Sequence, residues 1–252
     1  MSSASPSRPP ARAEPGRPGC RGRPRRSRGV ARGTLDGVFV TGTGTEVGKT
    51  VVAAAMARSV AGTGARVAVF KPAVSGLEEG GEPDHALLRR ASGSAQSDDE
   101  IAPYRFGPPV SPHLGAELAG EPIDPDALVA AARAAGEAAD FLVCEGVGGL
   151  LVPLTPGYLV RDFARELGMP TVIAAGPGLG TINHTLLTVE ATRAVGLEAR
   201  LVVLTPWPDD PGAVERTNRS AIERLGEIST EVLGRLDLRA TDSWPSLPPP
   251  GA

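Results

Sequence analysis

Lysine is almost missing from this chain: of 26 basic residues among 252, only Lys49 and Lys71 are not arginine. Arginine at every other basic position marks these two as places where a compact ammonium on a flexible stem is wanted. Cysteine is as scarce. Cys20 lies in an Arg/Pro-rich stretch and Cys144 in an apolar run, which excludes a disulfide framework and any metal-ligand spacing and fits a reducing cytosol. No run reaches the ~18 apolar residues of a membrane-spanning helix, so a soluble, cytoplasmic protein is expected.

Acidic charge is also missing from one end. Residues 1–33 hold nine arginines against a single acid, Glu14, which leaves 17 basic and 28 acidic residues, about −11, for the rest. Rich in Pro, Gly, Ser and Arg, this segment buries too little apolar surface to offset its ordering entropy, and we expect a disordered tail. A solvated tail outranks a nucleic-acid or membrane arm and a transit peptide, and with no apolar central region it is no signal peptide. The acidic body is a poor nucleic-acid binder, and neither a nucleic-acid nor a membrane partner is expected.

What is present is an alternation. Short apolar runs at 37–41, 66–70, 141–145, 171–175 and 201–204, each bounded by Gly or Pro, predict strands. Helical patterns lie between them at 50–61, 84–91, 125–138 (capped by Asp124), 160–167, 181–195 and 212–225. Right-handed βαβ units follow, giving an α/β fold: a doubly wound, mainly parallel sheet with helices on both faces. One domain over 34–240 accounts for the length, with a loose Pro-rich end at 241–252. Ligands in such sheets sit outside the carboxyl ends of the strands, so the residues just after each run matter most.

The first such loop, Gly42-Thr43-Gly44-Thr45-Glu46-Val47-Gly48-Lys49-Thr50, runs from a strand into a helix. Its N–H groups can cradle phosphates, Lys49 can reach the β and γ oxygens, and the Thr50 hydroxyl can ligate Mg²⁺. Five residues rather than the usual four separate Gly42 from Gly48, so this is a variant phosphate loop. Mg²⁺ bound to phosphates takes one or two carboxylates besides, and Glu145 ends a strand just before Gly146-Val147-Gly148-Gly149. Asp84, heading a short helix, reads equally as a simple cap or as a further ligand. Lys71 ends the second strand and Ser75 follows it, both toward the phosphate edge, while the lone His85 and His113 are unassigned.

In order and spacing, Thr41-Gly-Thr-Gly-Thr-Glu-Val-Gly-Lys-Thr50, Lys71-Pro-Ala-Val-Ser-Gly76, Ser111-Pro-His113, Cys144-Glu-Gly-Val-Gly-Gly149 and Gly178-Leu-Gly-Thr-Ile-Asn-His184 together resemble the dethiobiotin synthetases. The resemblance covers roughly residues 38–204 and implies a P-loop NTPase of the MinD/partition-ATPase-like branch. It implies Thr50, Asp84 and Glu145 as Mg²⁺ ligands, Lys49 as the phosphate lysine and Lys71 as the catalytic lysine. Glu46, Val47, Gly48, Val51, Gly146, Val147 and Gly148 would line the nucleotide. Thr45 and Ser75, with Gly180, Thr181, Ile182 and Asn183 of a partner subunit in a homodimer, would bind substrate.

The implied reaction is carboxylation of 7,8-diaminopelargonic acid by CO₂ or bicarbonate, phosphorylation of the carbamate by ATP or another nucleoside triphosphate, and closure of the ureido ring. Positioning and positive charge suffice for it, so the lack of a Ser-His-Asp or Cys-His constellation is in keeping. Two features depart from the family. No Asn follows the strand at Val202-Val203-Leu204-Thr205-Pro206-Trp207, where the family often reads adenine, and the chain beyond Glu227 takes its own course. Partition ATPases carry an extra loop lysine that this loop lacks, and cobyrinate-type amidating synthetases need a glutaminase portion for which there is little room.

Overall fold

The computed structural model describes residues 35–250, so the readings made for residues 1–33 lie outside the described residues. In chain order the elements begin β1 (Gly37–Gly42), α1 (Lys49–Ala61), β2 (Val67–Phe70), β3 (Ala73–Val74), α2 (Asp84–Ser92), α3 (Asp98–Ile101), β4 (Tyr104–Arg105), α4 (Pro112–Ala119) and α5 (Pro125–Glu137). They continue β5 (Phe141–Gly149), β6 (Pro153–Thr155), β7 (Tyr158–Leu159), α6 (Val160–Leu167), β8 (Thr171–Ala175), α7 (Thr181–Ala194), β9 (Ala199–Trp207), α8 (Ala213–Gly226) and β10 (Ser229–Gly234). No helix among the described residues is long and apolar enough to cross a membrane.

Six strands form one parallel sheet in the order β10-β9-β8-β1-β5-β2, the doubly wound arrangement expected from the alternation. Successive side chains of a strand face opposite layers. Val38 and Val40 accordingly join α1 and α2 in one core, while Phe39 joins Phe70, Phe163 and helices α5 and α6 in the other. A third cluster seats α7 and α8 against β8 and β9 through Ile173, Val189, Val202, Leu204 and Ile222. The face of α1 toward the sheet carries Ala53, Ala54 and Ala57, whose small side chains let the helix, and hence the phosphate loop before it, lie close to the strands.

Both sheet edges are blunted by side chains. At β2 the Gln96 amide accepts from Val69 N at 2.8 Å and donates to Val69 O at 3.1 Å; at β10 the Arg219 guanidinium donates to Thr230 O at 3.0 Å. Unpaired edge groups invite association with other chains, and these bonds remove part of that exposure.

The strand and helix readings differ from the structure mostly at their ends: β5 and β9 run on to Gly149 and Trp207. Besides the two- and three-residue strands β3, β4, β6 and β7, three elements were not foreseen. β10 alternates buried and exposed positions over only six residues, and α3 and α4 are four and eight residues long, too short for a clear helical period. The Pro-rich end is also corrected: through Pro250 it is tied down rather than loose. Leu247 is buried in the α1 core and donates its N–H to Ser59 Oγ at 2.7 Å, Arg58 pairs with Asp242 at 3.0 Å, and Arg90 donates to Leu238 O at 2.7 Å. Proline does not prevent burial when the side chains between prolines are apolar.

Replacing Leu247 by Ala should therefore lower the free energy of unfolding by about 2–5 kcal/mol, the usual result of truncating a buried leucine. Urea denaturation checks it, and an unchanged midpoint would show the segment to be dispensable.

Candidate active site

Sheet register builds the site. Val40 of β1 lies opposite Glu145 of β5, and Phe70 of β2 lies opposite Cys144, so the chain leaves β1, β2 and β5 with the phosphate loop, Lys71 and Glu145 side by side. Thr43 N donates to Ala174 O at 3.0 Å, fastening the loop to β8 as well. Two glycines permit its path. A Cβ on Gly42 would lie 2.8 Å from Lys49 Cγ; Gly48 has φ 85°, and a Cβ there would lie 2.6 Å from Thr205 Cγ2 at the end of β9. Glu46, not a glycine, also takes a left-handed φ of 58°.

Gly48 caps α1 without a side-chain acceptor, so the N–H groups of the first helical turn remain available to an anion. Lys49 curls back over the loop, its ammonium donating to Gly44 O at 2.7 Å. Burial lowers its pKa below the usual lysine range against the pull of Glu145. A positive charge thus sits where phosphates would be received.

Lys71 stands between two carboxylates. Its Nζ donates to Glu145 Oε1 at 2.6 Å and is 2.6 Å from Asp84 Oδ2, while Thr50 Oγ1 donates to Glu145 Oε1 at 2.9 Å. The Lys71 side chain is 4% exposed and that of Glu145 0%, but Asp84 is 42% exposed on the cleft side. Burial alone would depress the Lys71 ammonium, yet Glu145 and Asp84 outweigh it and hold its pKa above the ordinary value. Burial pushes the Glu145 carboxyl up while Lys71 pulls it back; Asp84 stays below the usual carboxylate range despite its burial because Lys71 and Thr50 hold its charged form. Asp84 is not the cap: Pro83 occupies that position, and the Asp84 carboxylate pairs with Lys71.

Thr50 and Lys71 thus both meet Glu145, with Asp84 on the other side of the Lys71 ammonium. Glu145 Oε2 is buried and without a hydrogen-bond partner, an acceptor left over at the point where a divalent ion would be received. A hydroxyl and two carboxylates are the hard oxygen set that suits Mg²⁺ completed by phosphate oxygens. Among the described residues no three His, Cys, Asp or Glu side chains form a metal centre by themselves. Cys144 is buried in β5 with its thiol pushed well up, chiefly by burial, and offers no nucleophile.

A cleft of about 830 Å³ opens over these groups, lined by Thr45, Glu46, Gly48, Lys49, Thr50, Val51, Lys71, Ser75, Asp84, Glu145, Val147 and Gly148 of the residues singled out in the sequence. Val47 and Gly146 do not line it. Val47 packs against the α1 core, and a Cβ on Gly146 would meet Phe39 and Val160 at 3.1 Å. Gly180 to Asn183 are not brought to this cleft either: they open α7, with Thr181 buried and Gly180 and Asn183 exposed. Sequence reading missed a whole wall, made by Glu79, Glu82, Pro109, Val110, Pro112 and Leu238. Ser111, quoted in a motif without a role, belongs to the same wall.

The chain matches the family described as an AAA domain over residues 36–246. The ATP-dependent dethiobiotin synthetase BioD of Acidiphilium cryptum is 43% identical over 196 residues, which cover 75% of this chain and 87% of that protein. That of Rhodococcus erythropolis is 43% identical over 192 residues (75% and 84%), and that of Bacillus subtilis 36% identical over 192 residues (76% and 83%). Identity at this level, along most of the length of each relative, makes the chain a member of the ATP-dependent dethiobiotin synthetase family.

Proposed function

We propose that this cleft carries out the ring closure of its family on 7,8-diaminopelargonic acid: one amine takes up CO₂ as a carbamate, ATP phosphorylates the carbamate, and the second amine displaces phosphate. The observation that supports this best is Lys71, an ammonium held between Glu145 and Asp84 in the same cleft as the phosphate loop. A carbamate is a poor electrophile, and its mixed anhydride with phosphate has a leaving group. The protein then has to align two reactants and offer positive charge where charge shifts. Lys49 would neutralise the β and γ oxygens, Lys71 the carbamate and transferring group, and Thr45 and Ser75 would contact the substrate. Mg²⁺ held by Thr50, Asp84 and Glu145 would supply further charge neutralisation on the phosphates. Such an enzyme works in the cytoplasm and needs neither nucleic acid nor membrane.

The test is an assay with the diamine, bicarbonate, Mg²⁺ and ATP, read for dethiobiotin and phosphate. Lys49→Ala should lose phosphate release, since uncompensated charge on the transferring group removes several kcal/mol of stabilisation. Lys71→Arg should be severely impaired too: it keeps the charge, but a planar fork replaces a compact ammonium 2.6 Å from each of two carboxylates. Turnover of Lys71→Arg at the parental rate would refute the role given to Lys71.

The base is a separate question. Where β9 ends, Thr205 is buried against Gly48, and no Asn stands there to read adenine in both directions. Loss of one bidentate contact forfeits about 1–3 kcal/mol of discrimination by analogy with base readout, so other triphosphates should support turnover within about tenfold of ATP. A preference of a hundredfold or more would contradict this.

A homodimer is the third part of the proposal. Leu179, just before α7, is 98% exposed and Leu187 on α7 is 56% exposed, apolar surface flanking Gly180 and Asn183. The free N–H groups at the start of α7 would receive the substrate carboxylate in the partner's cleft. Lys49→Ala and an Asn183 variant carrying a bulky acid, each inactive, should regain up to half the parental activity when subunits are exchanged, because one pocket of the mixed dimer is intact. A mixture as inactive as its components would remove the shared site.

A further inference from the structure

Ser111 holds the N-cap position of α4, where a serine hydroxyl ordinarily accepts a hydrogen bond from the helix N–H groups. Here it caps nothing. Its Oγ lies instead 2.8 Å from Nδ1 of His113, two residues further on, and Ser111 lines the cleft. A residue that forgoes a cap gives up about 1 kcal/mol of helix stability in the usual case. The geometry turns the hydroxyl to a different use.

The wall that carries Ser111 belongs to the Ser75 side of the cleft. Gly76 N donates to Pro108 O at 3.0 Å, Leu77 N to Phe106 O at 3.3 Å and Glu78 N to Gly107 O at 3.0 Å, so the segment before Ser111 hangs on the turn that follows Ser75. It makes no such bonds to the phosphate loop. A substrate with two amines entering beside Lys49 and Lys71 meets two cations that cannot accept its N–H hydrogens. A hydroxyl on the wall of Ser111 offers an acceptor clear of the Lys71 ion pairs.

We infer that Ser111 and His113 form an amine-receiving pair for the diamine. His113 Nδ1 accepts the Ser111 O–H, and this leaves the lone pairs of Ser111 Oγ to accept an N–H from a substrate amine. Ser111 touches the substrate, and His113 is a positioning residue that acts through it. The inference rests on the diamine being the substrate.

Steady-state dethiobiotin formation tests it. Ser111→Ala should raise KM for the diamine about tenfold, the loss of one hydrogen bond to an amine, and leave KM for ATP unchanged. His113→Phe should match it, His113→Asn, which keeps an acceptor near Nδ1, should recover most of the loss, and the double variant should be no worse than either single one. An unchanged diamine KM in Ser111→Ala, equal rises in both KM values, or a His113→Asn as weak as His113→Phe would overturn the assignment. If Ser111→Ala fails to fold by thermal melting, the two His113 variants decide alone. A parent that forms no dethiobiotin overturns the substrate reading, and the pair with it; a working parent with indifferent variants overturns only the pair.

Discussion

A buried ammonium persists only where anions receive it, and the site is organised around one such meeting: Lys71 Nζ at 2.6 Å from both Glu145 and Asp84. Three separate pieces of the fold must agree for it to exist. β2 and β5 must pair in the register that sets Phe70 against Cys144, α2 must begin at Asp84, and α1 must bring Thr50 to Glu145. Each constraint is met by parallel-sheet geometry together with Ala-rich packing beneath the phosphate loop. Removing Lys71 would leave the fully buried Glu145 carboxylate without its ammonium, a loss on the order of 3–5 kcal/mol, so the pair binds the stability of the sheet edge to its chemistry. The exposed side of Asp84 and the unpartnered oxygen of Glu145 keep this cluster open to exchange with a ligand.

How much of this was legible in the sequence depends on the range of the interaction. The phosphate loop could be read because one strand, one loop and one helix lie consecutively in the chain, and Lys71 stood out because arginine fills nearly every other basic position. Glu145 followed from the need for a carboxylate at a strand end. Asp84 could not be read locally: both a cap and a ligand start a helix with an acid, and only the structure shows that Pro83 takes the cap position while Asp84 pairs with Lys71. The wall carrying Val110 and Ser111 was invisible because it hangs on the turn after Ser75 through backbone bonds that leave no side-chain pattern. Leu247 was misjudged with the Pro-rich end, since local composition cannot report that α1 offers Ser59 and Arg58 to it.

The exposed start of α7 belongs to the same account. Within one chain Gly180 and Asn183 meet no part of the cleft, and Leu179 stands almost fully in solvent. Asn218 of α8 nevertheless fixes the approach to this helix, donating to Pro177 O at 2.9 Å and Gly178 O at 3.0 Å. A loop held in place and presented outward is the surface that the proposed second copy would meet.

The central claim of the proposed reaction is that a carbamate oxygen takes up the γ-phosphoryl group and leaves with it as phosphate when the ring closes. Turnover with bicarbonate carrying oxygen-18, stopped early and read by mass spectrometry of the released phosphate, tests it directly. The account predicts one labelled oxygen passing to phosphate for each ureido ring closed. Unlabelled phosphate formed alongside dethiobiotin would contradict it, because the phosphoryl group would then have reached phosphate without passing through the carbamate.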